Sequence, residues 1–174
     1  MAKKELIRSK ALQLFASQGY NATSTRQIAI EAQVSEGLIF RHFQNKEGLL
    51  ESVLQQGLEK AAAYIAPILQ MEQPESVIKT AISLPMNVPE NEHEFWKLLY
   101  TLKWQRAHYP QEAFNRLQQK LTWAFEKLNY PVPELEAQLI EIYIDGLATE
   151  ILLRNGNPSN LTNLILSKYF KHEY

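Results

Sequence analysis

Residues Ser24 to Gly48, STRQIAIEAQVSEGLIFRHFQNKEG, decide how the rest of the chain is read. Ser24 followed three positions later by Gln27 has the form of a capping box, in which a side-chain oxygen satisfies the free N–H groups that open a helix. Ile28, Ala29 and Ala32 then recur at helical spacing, until Gln33-Val34-Ser35 interrupts the pattern and Ser35 offers a second N-cap. A second helix is predicted from about Glu36, with Ile39 and Phe43 one turn apart on a single face, where they pack with Val34 against the first helix. At about 100° per residue the opposite face carries Gly37, Leu38 and Arg41, flanked by Phe40 and His42. The segment is too short to hold its helix alone, so its stability must come from packing.

Two short helices joined by a tight turn, the second with a mixed outer face, form the helix-turn-helix arrangement that fits the major groove of B-DNA. Upstream, Ile7, Ala11 and Phe15 are spaced by four, with Leu6 and Leu14 beside them, and predict a helix over 3–18 that Gly19 stops. Downstream, Asn45 caps a long helix from Lys46, carried by Leu49, Leu50, Val53, Leu54 and Leu58 to the alanines at 61–63, with Pro67 and Pro74 suggesting a kink and an end. Further helices are predicted near 74–84, 91–108, 111–129, 134–154 and 158–171, broken by prolines and by Asn155-Gly156-Asn157-Pro158. No period-two alternation competes. The expected architecture is all-α, about nine helices: a three-helix head over 1–48 on a helical bundle over 49–174. No Gly/Ser-rich linker separates them, so the helix from Lys46 is expected to link the two mechanically.

The run from Gly19-Tyr20 through Ala22-Thr23-Ser24, Ile28-Ala29, Glu31-Ala32, Val34-Ser35, Gly37, Phe40, His42-Phe43 and Asn45-Lys46-Glu47 to Leu49 resembles the N-terminal domain of TetR-type transcriptional regulators. The resemblance covers about the first fifty residues, and the rest agrees in length and all-helical character. It implies a cytoplasmic homodimer that binds a pseudo-palindromic double-stranded DNA operator, most often as a repressor, and holds a small effector in its body. Three positions depart from the family pattern. Phe40 stands where tyrosine is usual, removing a phenolic hydroxyl that could bond phosphate. Gln33 replaces a glycine at the turn, implying a left-handed residue or a different turn. Gly48 occupies the place of a helix former, which is expected to loosen the first turn of its helix.

Composition agrees with this reading without requiring it. Residues 1–48 hold seven Lys/Arg against four Glu, a net of +3, and the other 126 residues hold 11 basic against 15 acidic, a net of -4. A basic head on an acidic body suits an element that meets phosphate while the body avoids it. With no cysteine in the chain, disulfides and thiolate metal sites are excluded, and no cofactor or metal is expected. The longest apolar run, Ala61 to Leu69, has nine residues and includes a proline, so neither a signal peptide nor a membrane span is expected.

Arg41 is the first candidate for base readout, because a guanidinium donates two bonds to the O6 and N7 of guanine. Leu38 could contact a thymine methyl, Glu36 a cytosine amino group, and Gly37 would allow close backbone approach, while Arg26 could reach a base edge or a phosphate. Lys46, a cation in the first turn of a helix, opposes the macrodipole, and an anion there would resolve the conflict. The resemblance carries phosphate roles onto Ser24, Thr25, His42 and Lys46.

In the body, Phe95, Trp96, Tyr100, Trp104, His108 and Trp123 fall in two adjacent helices, and could line a mostly apolar pocket with a few polar tips, suited to a hydrophobic or amphipathic effector. Leu139, Ile142, Gly146 and Leu153, then Leu161 and Ile165, mark the last two helices as a two-fold dimer interface. Gly146 inside a helix costs about 1 kcal/mol relative to alanine, a cost that close helix approach would justify. Two other functions compete. Glu90, Glu92, His93 and Glu94 match no metal-ligand spacing and no nucleophile motif accompanies them, so an enzyme is not expected. A helical adaptor that has lost DNA recognition would use Leu38 and Phe40 for protein contact.

Overall fold

The computed structural model describes residues 2–104 and 111–170. Among them run nine α-helices: α1 Lys3–Gln18, α2 Thr25–Glu31, α3 Glu36–Phe43, α4 Lys46–Gln70, α5 Pro74–Ser83, α6 His93–Trp104, α7 Gln111–Lys127, α8 Pro133–Arg154 and α9 Ser159–Tyr169. Short 3-10 turns at Leu84–Asn87 and Glu90–Glu92 lead from α5 to α6. No strand occurs among the described residues.

Local chemistry sets most of the boundaries. Gly19 ends α1 with φ +87°, and its N–H donates to the Phe15 carbonyl at 3.0 Å. Asn45 opens α4 by accepting the Gly48 N–H at 2.8 Å. Pro74 and Pro133 each begin a helix, where a missing N–H has no cost. Asn155 closes α8 in the left-handed conformation. The effect expected of the prolines near α4 is corrected in one respect. The helix continues through Pro67 and ends at Gln70, so Pro74 starts the next helix instead of stopping this one.

The chain packs as two compact units, one of Met1–Lys60 with Asn91–Tyr109, the other of Ala61–Glu90 with Pro110–Tyr174. In the first, Ile7, Ala11 and Phe15 of α1, Ile28 and Ala29 of α2, Ile39 and Phe43 of α3, and Leu49, Leu50, Val53 and Leu54 of α4 are all buried, with α1 packed on α2 and α2 on α3. Each of the larger side chains contributes about 1.5–3 kcal/mol on leaving water, and this burial holds the short α2 and α3 in place. α6 joins the same unit by packing on α1. The Phe95 ring of α6 lies on Gly57 of α4 so closely that a Cβ at Gly57 would stand 1.7 Å from Phe95 Cε2. The packing boundary between the two units falls inside α4, after Lys60.

In the second unit α7 packs on α8 and on α5, around Ile68, Val77, Ile78, Ile82, Leu121, Phe125 and Ile140. Tyr130 and Tyr169 lie against Phe125, with ring centroids 5.0 and 5.7 Å away. The Tyr169 hydroxyl donates to Glu136 at 3.1 Å. Burial first, then the Glu136 carboxylate, pushes the Tyr169 phenol well above the usual tyrosine range.

Candidate nucleic-acid interface

The interface begins with a loop that is tied at both ends. Thr23, buried between α1 and α2, donates its hydroxyl to the Gly19 carbonyl at 2.9 Å. Ser24 then caps α2, accepting the Gln27 N–H at 3.1 Å. Only half of the expected capping box forms. The Gln27 side chain turns away and donates to Gln18 at 2.9 Å, tying α2 to the end of α1. Between α2 and α3 the turn pivots on Gln33, whose φ is +52°, so the residue that replaces the usual glycine takes the left-handed conformation.

α3 starts at Glu36 as expected, although Ser35 makes no side-chain cap bond. In its place the Thr25 hydroxyl donates to Glu36 at 2.6 Å, clasping the starts of α2 and α3. Ile39 is 0% exposed and Phe43 5%, and they anchor the helix. On the other side Gly37, Phe40, Arg41 and His42 are exposed, while Glu36 and Leu38 are half-buried. Ser24 and Arg26 are exposed at the start of α2, and Thr25 is half-buried there. A compact outward surface therefore combines a guanidinium, an imidazole, an aromatic ring and a glycine gap on one rigid helix.

Lys46 does more inside the chain than its place in the sequence suggests. Its Nζ donates to the Tyr20 carbonyl at 2.9 Å and to the Thr23 carbonyl at 3.0 Å, and it lies 4.2 Å from the centre of the Tyr20 ring. Those carbonyls are the local compensation for a cation in the first turn of α4, and the third ammonium hydrogen remains for another acceptor. Gly48 has a comparable reason. A Cβ there would stand 2.2 Å from the Phe43 carbonyl oxygen, so the residue permits the sharp passage from α3 to α4. Tyr20 and Thr23 belong to the run that carries the family resemblance, but their part in holding Lys46 was not visible in their spacing.

The aromatic residues considered for an effector divide between the two units. Phe95, Trp96 and Tyr100 are buried in the first, with Phe95 edge-on to Trp96 at 5.4 Å, and Trp123 is half-buried against the core of the second. The Trp104 side chain and His108 lie outside the described residues. A cavity of about 260 Å³ opens in the first unit among α1, α4 and α6, lined in part by Arg8, Leu12, Val53, Gln56 and Phe95. On α8, Leu139, Ile142 and Leu153 are exposed, and a Cβ at Gly146 between them would meet nothing within 4 Å. On α9, Leu161 is exposed as expected. Ile165 is corrected: it packs into the core of its own unit beside Leu166, and Leu164, one position earlier around the helix, takes the outward place.

A helix-turn-helix head continuous with an all-helical body is the architecture of a class of transcriptional regulators. Residues 7–53 match the model of the bacterial regulatory proteins of the tetR family, so the likeness in sequence lies in this head. It is 52% identical over 50 residues to the HTH-type transcriptional regulator YvkB of Bacillus subtilis, a stretch that makes 29% of this chain and 26% of that protein. It is 37% identical over 76 residues to the HTH-type transcriptional repressor Rv3405c of Mycobacterium tuberculosis, covering 44% of this chain and 38% of the relative. The matches thus span well under half the length of these curated relatives. The fold extends further than the sequence match. A TetR-like transcriptional regulator from Rhodococcus sp. RHA1 superposes with a TM-score of 0.81 at 18% identity, over 98% of this chain and 97% of that one. A transcriptional regulator from Saccharomonospora viridis in complex with choline superposes with a TM-score of 0.75 at 19% identity, over 98% and 96% of the two chains. Among the described residues no helix is long and apolar enough to cross a membrane.

Proposed function

We propose that the chain is a homodimeric transcriptional repressor that places α3 of each copy in successive major grooves of a pseudo-palindromic operator. The observation that carries this reading is the division of α3, with Ile39 and Phe43 buried and Arg41 at the centre of an exposed face. Arg41 reads guanine, with Glu36, Gly37, Leu38 and Phe40 around it and Arg26 alongside. Ser24, His42 and the remaining donor of Lys46 meet phosphates, and Thr25, whose hydroxyl is given to Glu36, meets one through its backbone N–H at the start of α2. Such contacts orient the head, and the base contacts supply specificity.

The second copy docks on the α8–α9 face, where Leu135, Leu139, Ile142, Leu153, Leu161 and Leu164 are exposed around the open space at Gly146. A two-fold axis there sets two heads about 34–36 Å apart, one helical turn of DNA. The head, residues 1–48, binds DNA, and residues 49–174 hold the effector and the dimer interface. A small hydrophobic or amphipathic effector enters the body and shifts α4, which carries the change to the head. The choline complex of one structural neighbour and the repressor name of one relative support this part of the reading. A thousandfold preference of the effector for one state over the other supplies about 4 kcal/mol to the switch.

Sedimentation and duplex binding test the assembly. Wild type is expected to sediment as a dimer and to lose DNA affinity steeply with salt, whereas Ile142→Asp should sediment as a folded monomer that binds a two-half-site duplex poorly. An Ile142→Asp protein that remains dimeric would remove the α8–α9 interface from the proposal, and salt-independent binding would favour an adaptor.

A further inference from the structure

We propose that Phe40, with the gap beside it at Gly37, reads the C5-methyl group of a thymine in each half of the operator. The inference rests on the DNA-binding function proposed above and adds the identity of one base to it. Phe40 is 46% exposed, although it lies on an eight-residue helix whose two other large apolar side chains in the core, Ile39 and Phe43, are 0% and 5% exposed. Gly37 precedes it by three positions and lies beside it on the helix surface. A Cβ at Gly37 would meet no atom within 4 Å, so an open gap flanks the ring. Arg41, the next residue, is exposed as well.

A phenyl ring has neither donor nor acceptor, so it can distinguish bases only by apolar contact. In the major groove the thymine C5-methyl is the apolar feature that bases present, beside a set of polar edges. Contact of the ring with sugar or phosphate would carry no sequence information. A ring standing half out of water beside an open gap therefore fits a methyl group, which it desolvates together with its own exposed face.

The test uses the operator selected by the full-length wild-type protein from random duplexes. Each thymine of that operator is replaced in turn by deoxyuridine, which removes the methyl group alone. One thymine per half-site is expected to be sensitive, with binding weakened about fourfold when one half-site is changed and about fifteenfold when both are, the value of one methyl group per site taken out of water. Phe40→Ala should bind the thymine and deoxyuridine duplexes equally, while Phe40→Tyr, which keeps the ring, should retain the difference. Circular dichroism of each variant confirms the helical fold, which an exposed side chain does not support. The inference is overturned if no deoxyuridine substitution weakens binding, or if Leu38→Ala abolishes the sensitivity and Phe40→Ala keeps it. If wild type enriches no duplex at all, the DNA-binding function itself fails and the inference falls with it.

Discussion

Alanine at Gly57 sets two effects of known size against each other. On helix propensity alone the change should stabilise α4 by about 1 kcal/mol. The new Cβ, however, would stand 1.7, 2.0 and 2.3 Å from three carbons of the Phe95 ring. That ring is 4% exposed and braced edge-on by Trp96 at 5.4 Å, so it cannot swing into solvent without carrying α6 with it. Overpacking of this kind costs about 1–3 kcal/mol, and three contacts far inside van der Waals distance place it at the upper end. The expected net effect is a loss of about 1–2 kcal/mol, a fall in Tm of about 2–8 °C for a chain of this length. Thermal and urea unfolding by circular dichroism measure it. Phe95→Leu, destabilising by itself, should cost less in the Gly57→Ala background than in wild type, because the smaller side chain relieves the clash. A Gly57→Ala protein more stable than wild type would refute the close α4–α6 contact.

Three further outcomes follow from the same structure. Gln33→Gly should stabilise the protein by about 0.5–1 kcal/mol in urea unfolding, because φ of +52° strains glutamine and not glycine; a loss would mean that the Gln33 side chain holds the turn. Lys46→Met keeps the aliphatic stem but removes the two bonds to the Tyr20 and Thr23 carbonyls, and should cost about 1–2 kcal/mol after allowance for the partial exposure of the residue; DNA binding lost with no change in stability would leave Lys46 as a phosphate contact alone. Tyr169 governs a pH effect. Its phenol is held above the ordinary value near about 10 by burial and by Glu136, so the folded chain keeps a proton that the unfolded chain releases. The resulting stability is complete below about pH 10 and is lost as the pH rises further, and Tyr169→Phe should flatten that alkaline decline in a pH series of unfolding curves.

Much of the helix order could be read in advance because it depends on short-range chemistry. Gly19, Asn45, Pro133 and Asn155 act on their own backbone or within one turn, and the structure places helix ends at each of them. The buried pair Ile39 and Phe43 followed from spacing in the same way. What could not be read depends on partners distant in sequence. Lys46 meets carbonyls 26 and 23 residues before it, and the Gln27 side chain reaches back nine residues to Gln18 instead of one turn to Ser24. Gly48 looked like a weak helix start because the nearby Phe43 carbonyl is set by the α3–α4 bend, which no pattern of residue types encodes. The exchange of Ile165 for Leu164 has a simpler cause. α9 carries apolar residues over so much of its circumference that a step of one residue, about 100°, leaves two registers equally apolar until the core selects one.

The claim on which the rest depends is that the Arg41-centred face of α3 reads a DNA sequence. Selection of bound duplexes from a random pool by the wild-type protein and by Arg41→Ala, each at two salt concentrations, tests it most directly. Wild type should enrich a pseudo-palindromic site, and Arg41→Ala should lose about 1–3 kcal/mol of discrimination at one guanine in each half-site while the rest of the site is kept. Enrichment of the same site with the same guanine preference by Arg41→Ala, or of no site at either salt by a folded dimeric wild type, would contradict it.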